Sequence, residues 1–503
     1  MRKTQKNILI IMSDEQRWDT LGSHGNPTSV TPNIDALAKS GMSMDRCYTV
    51  NPLCCPARAS LWTGLMPHEH HVMGNWRRIR PDLQDEGLIK NFKEAGYHTI
   101  YTGKWHVPGT TPSKFHFNDM SSIPAILNGR DRGRFIEPYR KYAYSKGYEL
   151  VDSHVENLTK ADLEKMNQPG KAPCGKSEIS LEDYLETWQT KQFLDLLERR
   201  PDKQPFFAVC SYNAPHFPMI VPEPYDTIVS PEEVVLPPNF CKGMDGKATE
   251  VFNSGYEKLA NLDEYEWRRF IAHYLGFCAL IDDQVGEITH YLKQKGIFND
   301  TIIVFVSDHG DMMGSHGLVE KGFPLHYEEA LRVPLIIANY GEIKDGRSEE
   351  LVSLIDLLPT IAELTGVPIQ QRVEGRSFAN LLIGNGTTRI REYVLAESFK
   401  FDGNEGGAGE YINAKDFNPN IDSVNYSIRT KDYKYIFRFS DKEELYDIQN
   451  DPYENVNLAD IEEQLEALQF MRELLLIEMK KTNPVLEVAV KNKLSQLVQK
   501  EHL

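Results

Sequence analysis

The chain has no apolar run long enough to cross a bilayer, no Cys-Xaa-Xaa-Cys pair, no low-complexity tract and no internal repeat. The first absence excludes a membrane-spanning helix, which needs roughly 20 apolar residues. The second leaves no zinc-type cysteine framework. Seven cysteines (Cys47, Cys54, Cys55, Cys174, Cys210, Cys241, Cys278) are scattered and odd in number. They predict free thiols in a reducing compartment, without structural disulfides. Positive charge is also scarce. Lys and Arg total 56 against 73 Asp and Glu, a net charge of -17, and no basic run stands out. This argues against nucleic-acid or anionic-membrane partners. Any anionic substrate must instead be drawn by a local cationic pocket. The basic start Met1 to Lys6 is followed by an apolar run of only residues 8–12. That run is too short for a secretory leader and lacks a small-residue cleavage site, so the expected location is the cytoplasm.

What is present is length and alternation. The 503 residues, 41% hydrophobic, suffice for a large core and exceed one ordinary domain. Short β-rich runs at 8–12, 206–211 and 301–307 alternate with helical patterns at 33–40, 87–95, 181–197 and 267–294. Such alternation predicts a large, mostly parallel sheet sandwiched by helices. Ligands of such sheets sit at the carboxyl ends of the strands, where Asp14, His216, Asp308 and His309 fall. Irregular stretches at 107–180 and 220–262 are read as walls of a substrate pocket. Near Arg389 the character changes to short aromatic-rich runs (393–397, 427–429, 433–438), followed by helices at 461–481 and 484–502. The expected division is a catalytic domain over 1–388 and a smaller α+β subdomain with an antiparallel sheet over 389–503. The last helix carries an apolar stripe of Val485, Leu486, Val488, Val490, Leu494, Leu497 and Val498. That stripe needs cover, from its own subunit or from a second copy in a homo-oligomer.

The densest chemistry lies in Cys54-Cys55-Pro56-Ala57-Arg58, continued by Ala59-Ser60-Leu61-Trp62-Thr63-Gly64. A helix starting here would present free N–H groups and its positive dipole end to an anion. Arg58, one turn in, adds a cation with fork geometry. On these residues alone, an anion-facing nucleophile and a buried cysteine pair are equally good readings. Asp14 with Glu15, and Asp308 with His309, are two acid-containing pairs from distant loops, suited to a hard divalent cation. Individually such residues often cap helices or form ion pairs. Lys104, His106, His216 and Lys321, each taken singly, read as surface or core-edge residues. His68, His70 and His71 cluster in sequence without the spacing of a closed zinc site, and are read as structural or substrate-facing. Asn75 and Trp76 follow them as pocket-lining candidates, while Tyr48 and Trp62 are read as core.

The pattern Cys-Xaa-Pro-Xaa-Arg with a following Thr-Gly resembles the signature of the formylglycine-dependent sulfatases, in the alkaline-phosphatase-like superfamily. The likeness runs from about residue 7 to about residue 460. It includes Asn7 to Glu15, Thr31-Pro32-Asn33-Ile34-Asp35, Gly103-Lys104-Trp105-His106, Ser307-Asp308-His309-Gly310 and Glu444-Leu445-Tyr446-Asp447. The resemblance implies that a maturation enzyme oxidises Cys54 to formylglycine, whose hydrate is the nucleophile. It implies one divalent cation, Ca²⁺ first and Mn²⁺ second, on Asp14, Glu15, Cys54, Asp308 and His309. Glu15 departs from the frequent second aspartate, and His309 stands where many members have asparagine. Further implied roles are charge neutralisation by Arg58, Lys104 and Lys321, proton donation by His216, and proton acceptance by His106. Asp308 would help deprotonate the attacking hydroxyl. The substrate class implied is a small sulfate ester of a carbohydrate, aryl or alkyl alcohol. Ala57, in place of the commoner serine, is also similar to the related phosphonate monoester hydrolases, so a phosphonate monoester or phosphodiester hydrolase is the alternative. A metal- and anion-binding protein without activity is the remaining reading.

Overall fold

The structure is a computed structural model that describes residues 5–123, 137–151, 158–338, 341, 343–384, 389–400, 424–482 and 484–501. For 122, 123, 137, 482, 484–486 and 498–501 it describes the backbone alone. Its strands are β1 (Asn7–Ser13), β2 (Gly41–Tyr48), β3 (His98–Lys104), β4 (Asp119–Ile123), β5 (Cys174–Lys176), β6 (Phe206–Ser211), β7 (Met219–Val221), β8 (Thr301–Ser307), β9 (Arg332–Val333), β10 (Leu335–Ala338), β11 (Gly346–Ser353), β12 (Tyr393–Phe399), β13 (Val424–Thr430), β14 (Tyr433–Arg438) and β15 (Glu444–Asp447). The helices that matter below are α1 (Pro32–Lys39), α2 (Cys54–Thr63), α3 (Leu185–Arg199), α4 (Glu264–Gln294), α5 (Leu357–Thr365), α6 (Leu465–Thr482) and α7 (Pro484–Glu501).

Nine strands form the main sheet, in the order β11-β2-β10-β8-β1-β6-β3-β4, with β9 pairing on β2. The pairs β1/β6, β1/β8, β3/β6, β3/β4 and β2/β11 are parallel, whereas β10 runs antiparallel to both β2 and β8. Central strands such as Ile8-Leu9-Ile10-Ile11-Met12 are buried on both faces, as the absence of polar alternation dictates. One face carries Leu9, Ile11, Ile303 and Phe305 against α1, α3 and α4. The other carries Ile8, Ile10, Val304 and Val306 against α2 and α5. The fold is therefore the large helix-covered sheet expected.

Residues β12 to β15 form a separate four-stranded antiparallel sheet, with α6 packed on β14. Within the chain, Val490 and Leu494 of α7 join Leu468, Leu475 and Met479 of α6 in one buried cluster. The apolar stripe of α7 is thus covered at these positions by its own subunit, while Val488 is exposed. Val485, Leu486 and Val498 lie outside the described side chains. Within the irregular stretch after β3, Phe115 and Phe117 pack around Trp105, Tyr101 and Trp62. From 220–262, Tyr256 reaches the loop that carries Lys321. Residues 124–136 and 152–157 of the first stretch lie outside the described residues.

Candidate active site and metal centre

The carboxyl ends of β1, β3, β6 and β8 stand side by side, and the loops that leave them converge on the start of α2. Asp14 follows β1, Asp308 follows β8, and Lys104 closes β3. Cys54 is the first residue of α2, after an extended Leu53. Asn75 supplies the helix's missing cap from a distance, its side-chain oxygen accepting the Cys55 N–H at 3.1 Å. The helix ends at Gly64, in the left-handed region (φ 71°), where a Cβ would lie 2.9 Å from Val373. Cys54, Arg58, Lys104, His106, Lys321, Asp14, Glu15, Asp308 and His309 are all buried. His216 differs from them, with about a third of its side chain exposed.

Four of these residues form a donor set. One ligand atom each from Asp14, Cys54, Asp308 and His309 lies within 4.8 Å of all the others. His309 donates from Nδ1 to the Gly310 carbonyl at 2.9 Å, which leaves Nε2 to hold either a proton or a cation; burial opposes the charged ring, but Asp308, Cys54 and Asp14 favour it. That nitrogen is buried without a partner, 3.6 Å from Asp14 Oδ1, itself buried and unpartnered. Two unpartnered ligand atoms facing each other in a dry site are costly unless a proton or a metal cation lies between them. The set therefore fits a divalent cation. Asp308 is held rigid: its Oδ1 accepts the Glu15 and His309 N–H groups at 3.1 and 2.9 Å, and its Oδ2 accepts Arg58 Nε at 2.7 Å.

The cations ring the same point. Arg58 donates Nη1 to the Lys104 carbonyl and to Ser211 Oγ, both at 2.8 Å. Its Nη2 has no hydrogen-bond partner and lies 3.6 Å from Asp14. Lys104 pairs with Asp14, and Lys321 pairs with Glu15. Glu15, expected among the metal ligands, stands beside the four-donor set and shares a second group of possible ligands with Asp14 and His216, one atom of each lying within 4.8 Å of the others. Its turn sits in the left-handed region (φ 69°), which aims the carboxylate at Lys321 and at His216 Nε2, 3.4 Å away. Tyr274 of α4 pins that turn by donating its hydroxyl to the Glu15 carbonyl at 2.6 Å.

His106 also has positive φ (54°), so the chain turns after β3 and strand geometry does not align it with Lys104. Both nevertheless border Cys54. Burial holds His106 below the ordinary imidazole range, so the ring is neutral. Burial acts to raise the Cys54 thiol, but Lys104 and His309, with His106 and His216 beside it, hold it well below its usual value. Cys55, one residue on, is pushed well up by burial and by the Cys54 charge. Two neighbouring cysteines thus have opposite characters, set by which one faces the cations.

The histidine run after α2 does not converge. His70 ties Ser60 of α2 at 2.8 Å, while His68 turns to Glu397 of β12. Ser211, Tyr274 and Asn75 in its capping role are contributions that sequence spacing did not reveal. Their partners are 153, 259 and 20 residues away, and no local pattern marks them.

A sulfatase family model matches residues 6–367, and a model for the C-terminal region of N-sulphoglucosamine sulphohydrolase matches 314–481. An arylsulfatase of Clostridium perfringens is 31% identical over 484 residues, covering 94% of each chain. A multifunctional alkaline phosphatase superfamily protein of Trinickia caryophylli is 29% identical, covering 91% of each. A phosphonate monoester hydrolase of Silicibacter pomeroyi shares the fold with a TM-score of 0.77 and 23% identity, covering 95% of this chain and 96% of that one. The chain belongs to the sulfatase family, the type I sulfuric ester hydrolases of the alkaline-phosphatase-like superfamily.

Proposed function

We propose that this chain hydrolyses a small sulfate ester of a carbohydrate, aryl or alkyl alcohol, with residue 54 as nucleophile after oxidation to formylglycine. The observation that supports this most is the convergence of Arg58, Lys104, Lys321, His106 and His216 on Cys54 beside the four-donor set. Asp14, Asp308, His309 and the residue-54 side chain would hold one divalent cation, Ca²⁺ or Mn²⁺. When bound, it would acidify the attacking hydroxyl and neutralise charge on the transferred group. Hydrated formylglycine would supply two hydroxyls, one to attack sulfur and one to expel sulfate by carbon–oxygen cleavage.

The chain's own residues divide the remaining work. Lys104, Lys321 and the free Nη2 of Arg58 stabilise the sulfuryl oxygens as charge builds on them. His216 engages the Phe217 carbonyl through Nδ1 at 2.7 Å, so Nε2 is the atom that delivers a proton to the leaving oxygen. In this arrangement Lys321 Nζ donates to that nitrogen at 2.9 Å, with Glu15 3.4 Å away, so the ammonium must turn to the sulfuryl oxygens before Nε2 can act as the donor. Neutral His106 takes the proton from the second hydroxyl. Asp308 would help deprotonate the first. Among the described residues no helix is long and apolar enough to cross a membrane, and all seven cysteines are free. The free thiols support a cytoplasmic enzyme matured by a formylglycine-generating partner and acting on small imported esters.

The second reading is a phosphonate monoester or phosphodiester hydrolase with the same nucleophile. It draws on Ala57 and on the imidazole of His309 in the donor set. Parallel initial rates on an aryl sulfate and an aryl phosphonate monoester separate the two. A higher kcat/KM on the sulfate is expected; the reverse order makes the second reading the right one.

A further inference from the structure

We propose that His68, Glu69 and Glu374 form a second divalent-cation site, outside the catalytic centre, which takes a transition-series ion of the Zn²⁺ class. One ring nitrogen of His68 and one carboxylate oxygen from each glutamate lie within 4.8 Å of one another. The imidazole is oriented for it. His68 Nδ1 faces both oxygens of the buried Glu397 at 3.0 Å, and the His68 backbone N–H donates to the same carboxylate at 2.6 Å. A carboxylate behind the ring is the usual support of a metal-ligating histidine, since it fixes the tautomer and makes the far nitrogen more basic. That far nitrogen, Nε2, is buried without a partner, on a residue only 8% exposed.

The glutamates are also built in. Glu374 Oε2 accepts the Met66 N–H at 2.7 Å, and Oε1 lies 3.9 Å from Arg372. Glu69 has Arg372 at 3.4 Å and Arg80 at 3.8 Å. Arg372 is 69% exposed, so it is free to swing into solvent when an ion arrives. A cavity of about 270 Å³ reaches the site at Glu374, beside Met66 and Arg372. One imidazole with two carboxylates suits Zn²⁺ better than Ca²⁺, which seeks six or more oxygens.

The site would clamp three separated parts of the chain. His68 and Glu69 follow α2, Glu374 bonds through its backbone N–H to the Gly64 carbonyl at the end of α2, and Glu397 belongs to β12. The ion would then be structural, tying the helix that bears the nucleophile to the antiparallel sheet.

The full-length chain, stripped with a chelator, is titrated with Zn²⁺ and followed by bound-metal content and by melting temperature. An Asp308→Asn variant, impaired in the first site, is treated in parallel. The Asp308→Asn variant should retain at least one Zn²⁺ per chain and a metal-induced rise in melting temperature. Adding His68→Gln or Glu374→Gln should remove both. If Asp308→Asn binds no Zn²⁺, or if neither added substitution changes the amount bound, the proposal is overturned. Should His68→Gln fail to fold by circular dichroism, the more exposed Glu374→Gln decides alone. Failure of this site leaves sulfate ester turnover by Cys54 untouched.

Discussion

Cys54→Ala is expected to abolish turnover, while Cys55→Ala or Cys55→Thr keeps much of it. The reason is orientation: only the first thiol faces Lys104, His309 and His106, and its neighbour is pushed toward the neutral form. The opposite ranking in a hydrolysis assay would assign the nucleophile to the wrong cysteine. Asp308→Ala should lower kcat by roughly a thousandfold or more, because it removes a donor, a candidate base and the anchor of Arg58 together. Chelation should silence the enzyme, with Ca²⁺ or Mn²⁺ restoring it. Full activity in chelator with no bound metal would exclude a metal role. At this scale the sequence was informative wherever a residue sits at a strand end or helix start, as Asp14, Cys54 and Asp308 do. It was uninformative about direction. Glu15 stands next to Asp14, yet its left-handed backbone turns it to Lys321, and a one-dimensional pattern carries no φ angle.

At the scale of elements, α2 depends on a cap that its own sequence lacks. Asn75→Ala leaves the Cys55 N–H unpaired, and should cost about 1 kcal/mol in denaturant titration. Helix α3 carries a second testable feature. Burial raises Glu186 from the ordinary 4.5 to about 7, opposed only by backbone N–H groups such as that of Ala214. A carboxyl with a raised folded pKa contributes stability that is complete below about 4.5 and lost as pH rises through about 7. Glu186→Gln cannot ionise, so its stability relative to the parent should improve between pH 5 and pH 8, by up to about 3 kcal/mol. An unchanged difference across that range would show that Glu186 ionises normally. Strand β1, strand β8 and helix α4 were legible because continuous apolar runs and long helical periodicity mark fully buried elements. Strand β2 was not: Gly41-Met42-Ser43-Met44-Asp45-Arg46 mixes polar and apolar residues, and its place between β10 and β11 is set by distant partners.

On the scale of the whole molecule, the antiparallel sheet is tied into the catalytic centre's support. Glu397 receives His68, its backbone carbonyl accepts Asn51 at 2.6 Å, and its N–H donates to Val50. The change of character near Arg389 signalled the sheet, but a carboxylate reaching back over three hundred residues has no local signal. Truncation after Thr482 uncovers Leu475 and Met479 where Val490 and Leu494 now bury them, and should lower stability by about 3 kcal/mol. The homo-oligomer expected through this helix must rest on what its own subunit leaves exposed, such as Val488. A monomeric full-length chain in light scattering would end that idea. The central claim, that this member of the sulfatase family works through a modified Cys54, is tested most directly by peptide mass spectrometry on active enzyme. The peptide spanning residues 54 and 55 should carry an aldehyde or its hydrate at Cys54 and a free thiol at Cys55. Fully active enzyme with an unmodified thiol at Cys54 would contradict it.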